Sequence, residues 1–219
     1  IDEFGGLDDL NTTIIRAVGN SHDRIREDGL RIMRAYRFMD RNVNGVWLPE
    51  SQLSIALIEN RAMLAMVSIE RIWNEFSRII LGKNAEQVLK RMNDDGVLAA
   101  IIGYPLQDEI FDLIQKIPED LEARIAILFS KMKSDELIVI LERLKVSNAT
   151  FSRAKFLHSL LSKSPSNHEL RLYRNTLCEE VLIHSSMLSA IGEDTTLVNQ
   201  SMKYPYDIKC LVDGDWIMK

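Results

Sequence analysis

The chain has 219 residues, 46% of them apolar and 27% charged, which is long enough for one large domain or two small ones with a proper core. A net charge of −5 excludes a protein that wraps nucleic acid over its whole surface, and two cysteines, Cys178 and Cys210, exclude a disulfide framework or a zinc ribbon. The default setting is a reducing, cytoplasmic one, and with no apolar run of about eighteen residues no membrane partner is expected.

Taken in chain order, Ile1–Val18 contains a turn at Gly5-Gly6 and then Thr12, Thr13, Ile14 and Ile15, a short strand or extended piece closing a sheet built upstream. From Gly19 onward the periodicity is helical. One helix is expected from His22 to Arg41 with Asn20 or Ser21 as its cap, ending at Asn42-Val43-Asn44-Gly45. Pro49 restarts the chain, and helices follow over Ser51–Leu64 and Ser68–Leu81, the second stopped by Gly82. Asn84-x-x-Gln87 has the form of a capping box opening Ala85–Asn93.

An apolar run from Gly96 to Gly103 comes next, then helices over Asp108–Lys116, Glu119–Lys131, Ser134–Lys145 with Ser134 as cap, and Ala149–Ser162. His168–Cys178, Glu179–Ile191 and Thr195–Met202 complete the series before Tyr204-Pro205-Tyr206 breaks it. The fold class is therefore all-α, an array of short helices with short loops. The first residue is Ile1 and an apolar pattern is still running at the end, so both termini read as cut from a longer protein.

Searches for ordinary catalytic centres return little. His22, His158, His168 and His184 are scattered without metal-ligand spacing, so no metal site is expected in the chain. There is no nucleophile elbow and no phosphate-binding glycine loop. Asp8-Asp9 reads as turn or cap residues.

Asn20–Arg41 is different: six arginines and four carboxylates share 22 residues with an apolar stripe of Ile25, Leu30, Met33, Ala35, Tyr36 and Phe38. From Arg16 to Arg41, seven arginines face four carboxylates, a local basic excess on an acidic chain that suits an anionic partner such as phosphate. On one continuous helix, Asp28 and Arg31 would share a side. A carboxylate beside a guanidinium is an acceptor beside a forked donor. Cytosine and adenine present an amino donor next to a ring-nitrogen acceptor, whereas uracil and guanine present a carbonyl and a ring N–H. An Asp/Arg pair therefore accepts C and A and rejects U and G. The competing reading is a surface ion pair of small energetic weight.

The order of residues in Asp2…Gly5-Gly6…Asp9-Leu10, then Ile15-Arg16-x-Val18-Gly19, then Arg24-x-x-Glu27-Asp28-x-x-Arg31-x-x-Arg34-Ala35-x-Arg37-Phe38, resembles the class II tRNA nucleotidyltransferase family. That family comprises CCA-adding enzymes, separate C-adding and A-adding relatives, and bacterial poly(A) polymerases. Ser68-Ile69-Glu70-Arg71-x-x-x-Glu75 looks like its next neck motif. Gly96-Val97-Leu98 and Gly214-Asp215-Trp216-Ile217-Met218 look like elements of its body. Gly29 departs from the Pro usual after the Glu-Asp pair, which implies a looser helix start.

The resemblance implies a remnant of an α/β head over residues 1–18, a base-recognising neck over 19–82 and a helical body over 83–219. Asp28 and Arg31 would bind the base of CTP or ATP, with Glu27, Arg71 and Glu75 supporting the pair. Arg16, Arg24, Arg34 and Arg37 would meet phosphate or RNA. In the whole enzyme a head domain would hold Mg²⁺ on catalytic carboxylates, and the tRNA 3′-hydroxyl would attack the α-phosphate. Those carboxylates are not in this chain, so it is expected to be inactive alone. The alternatives are a poly(A) polymerase fragment and a non-catalytic helical RNA-binding module.

Overall fold

The computed structural model describes residues 2, 5–41, 45–161 and 178–201, and the chain divides into two compact units, Ile1–Ser159 and Leu160–Lys219. In the first, α1 (Gly6–Thr12) starts on the Asp2 carboxylate, which accepts the N–H groups of Gly6 and Leu7 at 2.9 and 2.8 Å. The extended piece that follows is β1 (Ile14–Ile15), which pairs in parallel with β2 (Leu48–Pro49) downstream. A proline is tolerated there because the N–H groups of Leu48 and Glu50, on either side of it, make the bonds to β1.

The expected helix from His22 to Arg41 is two helices, α2 (Ser21–Glu27) and α3 (Leu30–Met39). Asn20 caps the first, accepting from the N–H groups of His22 and Asp23 at 2.9 and 3.1 Å. The break falls at Asp28, whose backbone is extended (φ −150°, ψ 104°). Gly29 explains why the chain turns there. A Cβ on it would lie 2.6 Å from the carbonyl oxygen of Met63, so the turn rests directly on the 3-10 turn Arg61–Met66. Glycine at this position therefore secures a close approach, where the sequence suggested only a loosened helix start.

α4 (Ser51–Glu59) ends earlier than its periodicity suggests, because the Asn60 side chain donates to the Ala56 carbonyl at 2.8 Å and the chain tightens into that 3-10 turn. α5 (Ile69–Ile80) then packs on α3, with Ile32, Met33, Tyr36 and Met39 against Ile72, Phe76, Ile79 and Ile80, all buried. Each large apolar side chain taken out of water contributes about 1.5–3 kcal/mol. The buried face of α3 centres on Met33 and Tyr36, which brings in Ile32 and Met39 and leaves Phe38 half-buried at its margin.

α6 (Ala85–Asp94) lacks the expected capping box. The Asn84 backbone and side-chain N–H groups both donate to Asp40 at the end of α3, at 3.0 and 2.6 Å, so the cap is given up for a bond between helices. α7 (Val97–Ile102), α8 (Phe111–Ile114), α9 (Leu121–Leu128), α10 (Ser134–Arg143) and α11 (Asn148–Leu160) follow. Lys133, not Ser134, precedes α10, with Glu136 accepting its N–H at 2.8 Å.

In the second unit the helices Cys178–Ile191 and Thr196–Ser201 share a small core of Val181, Leu188 and Val198. The helix expected over His168–Cys178 (apart from Cys178), the Tyr204-Pro205-Tyr206 break and the Gly214–Met218 string lie outside the described residues. Among the described residues no helix is long and apolar enough to cross a membrane.

Candidate functional site

The junction of α2 and α3 gathers most of the charged residues singled out in the sequence. Glu27 lies at its centre: one carboxylate oxygen accepts from Arg24 at 2.6 Å and from Arg31 at 2.9 Å. The same Arg31 nitrogen also donates to the Arg24 carbonyl at 2.9 Å. One end of the Arg31 guanidinium is thus tied down, while its other N–H groups carry no bond among the described residues.

Asp28 is held separately. One carboxylate oxygen accepts the Leu30 N–H at 3.1 Å, capping α3, and the other accepts from Arg71 of α5 at 3.0 Å. Each oxygen keeps a lone pair for a further donor. Burial by itself would raise the Asp28 pKa. The Leu30 N–H and the charges of Arg71 and Arg31 outweigh it, so the carboxyl stays below the ordinary carboxylate range. Asp28 is therefore an acceptor only, at any pH near neutral. Because its backbone is extended, Asp28 and Arg31 are juxtaposed across a turn rather than stacked on one helical face.

Arg16, Arg24, Arg31 and Arg34 line an open cleft of about 500 Å³, and Ile15, Ile25, Ala35 and Leu53 contribute apolar wall. Arg16 is oriented by two hydrogen bonds to Asp9, at 2.9 and 3.0 Å, which gives Asp9 a role beyond a turn or cap. This ion pair raises the pKa of Arg16 still further. Glu75 does not join the Asp28–Arg31 cluster. It is buried on α5 and accepts from Arg37, about two turns along α3 from Arg31.

Phe38 was legible only as a core residue. Its ring has the guanidiniums of Arg34, Arg37 and Arg41 at 5.9, 4.4 and 5.3 Å from its centre. The signal that could have found this is local: arginines four before, one before and three after an aromatic on an amphipathic helix.

Beneath the site α3 is anchored by buried polar groups. The Tyr36 hydroxyl donates to Asp95 at 2.7 Å, and Asp95 also accepts from Arg91 at 2.6 Å. Burial, then the adjacent carboxylate, drives the Tyr36 pKa far above the ordinary phenol value. Arg124, nearly fully buried, donates to the carbonyls of Ile80 and Gly82 at 2.8 and 3.0 Å and so satisfies the end of α5. Burial lowers its pKa.

The arrangement is a charged turn on a helical scaffold. A family model described as "Probable RNA and SrmB- binding site of polymerase A" matches residues 49–111. A CCA-adding enzyme of Lactobacillus delbrueckii subsp. bulgaricus is 29% identical over the whole of this chain and 57% of its own length. One from Pediococcus pentosaceus is 32% identical over 79% of this chain and 45% of its own length. The crystal structure of the Bacillus stearothermophilus CCA-adding enzyme in complex with CTP shares the fold, with a TM-score of 0.74 at 23% identity over 92% of this chain and 53% of that one. Over its whole length the chain is similar to CCA-adding enzymes. It spans about half the length of these relatives.

Proposed function

We propose that this chain is the nucleotide-selecting and RNA-binding part of a tRNA nucleotidyltransferase that adds C and/or A to the tRNA 3′ end using CTP or ATP. Residues 19–82 form its base-recognising neck and 83–219 its body. The observation that carries the reading is the independent anchoring of Asp28 by Arg71 and of Arg31 by Glu27. An ion pair satisfied by itself would leave nothing for a ligand. Here each partner is braced by a third group and keeps hydrogen-bonding capacity. The amino group of cytosine or adenine would donate to Asp28, and Arg31 would donate to the neighbouring ring nitrogen. A carboxylate that stays ionised cannot rearrange to donate to the carbonyl of uracil or guanine.

Arg16, Arg24 and Arg34 give the cleft beside Arg31 the charge to hold triphosphate or the RNA end, while Arg37 braces the neck through Glu75. Among the described residues no three His, Cys, Asp or Glu side chains converge where a cation could be held. The family resemblance, rather than this absence, assigns Mg²⁺ in this reading to the carboxylates of a head domain. What this chain's residues do is bind and orient. Support for a poly(A) polymerase instead comes from the polymerase A family model; incorporation from CTP separates the two.

The test is Asp28→Ala and Arg31→Ala in an enzyme that carries this region with its catalytic head. Preference for CTP and ATP over UTP and GTP should fall roughly 5- to 150-fold, the weight of one bidentate base contact of about 1–3 kcal/mol. Equal loss of all four nucleotides together with a lowered Tm would overturn the reading.

A further inference from the structure

α2 has seven residues, and it carries both groups that fix Arg31: the Glu27 carboxylate and the Arg24 carbonyl, each accepting at 2.9 Å. The extended backbone at Asp28 separates it from α3, so α2 takes its orientation from what it packs on, chiefly α4. The polar tie between the two is His22, whose Nδ1 lies 2.9 Å from the side-chain nitrogen of Asn60 at the end of α4. Asn60 is buried, and it serves both flanks of the junction. Its carbonyl accepts the Met63 N–H at 2.8 Å, in the 3-10 turn whose Met63 carbonyl meets Gly29.

The partners assign the protons. The Ala56 carbonyl, 2.8 Å from the same Asn60 nitrogen, can only accept, so the amide nitrogen and not its oxygen must face it. The second hydrogen on that nitrogen points at His22, whose Nδ1 is therefore the bare, accepting nitrogen, with the ring proton on Nε2. Among the charged groups of the elements packed on α2, Glu59 of α4 faces the ring, 3.8 Å from Nδ1. On α3, Arg31 is bonded to Glu27, Arg34 lies over the Phe38 ring, and Arg37 is bonded to Glu75. On α2 itself Arg24 pairs with Glu27, and Asp23 with Arg26 at 3.7 Å.

A second ring proton, on Nδ1, would remove the acceptor from Asn60 and draw the imidazole to Glu59. We infer that His22 and Asn60 are positioning residues that hold the Arg31 guanidinium in place through α2, and that protonation of His22 releases it. The inference rests on the base-selection reading above, to which it adds a pH dependence, imidazole being the side chain that ordinarily changes charge between about pH 5 and 8. What is lost is orientation rather than contact, because Arg31 keeps its bond to Glu27 while the helix carrying Glu27 is no longer tied to α4.

The experiment pairs nitrogen NMR of the 219-residue chain with a pH profile of an enzyme that carries this region with its catalytic head. In the chain, the His22 ring should be the Nε2–H tautomer, and the Arg31 guanidinium should be ordered near about pH 8 and loosened near about pH 6. His22→Ala should loosen it at both. In the enzyme, the ratio of kcat/KM for CTP over UTP should fall roughly 5-fold across the same interval, the lower end of what a bidentate base contact supplies. His22→Gln keeps an acceptor for Asn60 but takes up no proton, so it should hold the wild-type ratio at the higher pH and lose the pH dependence; His22→Ala should show the low ratio throughout. An Arg31 guanidinium equally ordered at both pH values and in His22→Ala overturns the inference, as does a ratio that falls with pH in His22→Gln as it does in the wild type. If the guanidinium responds as expected while Arg31→Ala leaves the ratio unchanged, the positioning of Arg31 stands and it is the base-selection reading that fails.

Discussion

The two ends of α3 handle charge in opposite ways. At the N-terminal end, Arg24, Glu27, Asp28, Arg31 and Arg71 are paired at the surface, partly exposed, with hydrogen-bonding capacity left over. Further along, Tyr36, Asp95 and Arg124 are buried and hydrogen-bonded below the surface, Tyr36 to Asp95 and Arg124 to the Ile80 carbonyl. Exposed pairs contribute little to stability, about 0–1 kcal/mol, because water screens them and would solvate them equally well. Buried polar groups are costly to break, since the orphaned partner keeps its full desolvation penalty. The comparison teaches a division of labour: the end proposed to recognise the base can change partners cheaply, and the buried end cannot.

Four substitutions would break or sharpen that contrast. Arg124→Ala should have the largest effect, destabilising the first unit by about 3–5 kcal/mol in urea unfolding, because the α5 carbonyls lose their buried donor; a loss under about 1 kcal/mol would show that water replaces it. Gly29→Ala should cost about 1–3 kcal/mol by forcing a Cβ against Met63. Its Tm should be compared with that of Gly29→Pro, which carries a Cβ in the same place and should fare no better.

Tyr36→Phe should cost about 1–2 kcal/mol, less than Arg124→Ala, because Asp95 retains Arg91. Arg71→Ala should sit at the bottom of the scale, within about 1 kcal/mol in stability, yet it should relax base selection in the whole enzyme by freeing Asp28. Its pH behaviour gives a second readout. The Asp28 carboxyl lies below its ordinary value of 3.8 in the folded chain. It therefore contributes stability above that value, and the contribution is lost as the pH falls through the lower folded value. In Arg71→Ala the loss should begin at higher pH, seen in acid melts from pH 5 downward.

Much of this was legible in the residues. Helical periodicity located the apolar face of α5, where Ile72, Phe76, Ile79 and Ile80 are all buried, because spacing alone dictates which side chains share a face. Asn20 as a cap was legible for a similar reason: its carboxamide bonds N–H groups two and three residues away. The residue order around Glu27-Asp28 pointed to the family and to the pair of groups proposed for base selection.

Tertiary structure decided what local pattern could not. The helix breaks at Asp28 because Gly29 meets the carbonyl of Met63, 34 residues further along the chain. Asn84 abandons its capping box for Asp40, and Glu75 serves Arg37 rather than the base pair. Ile14–Ile15 finds its strand partner in Leu48–Pro49, a segment with no strand signal of its own. The physical reason is common to all four. Propensity and periodicity are local and weak, worth tenths of a kcal/mol per residue, whereas a buried contact or a satisfied hydrogen bond between distant segments is worth about one or more. Sequence alone singled out the charged residues; only their packing determined which of them hold one another and which keep hydrogen-bonding capacity.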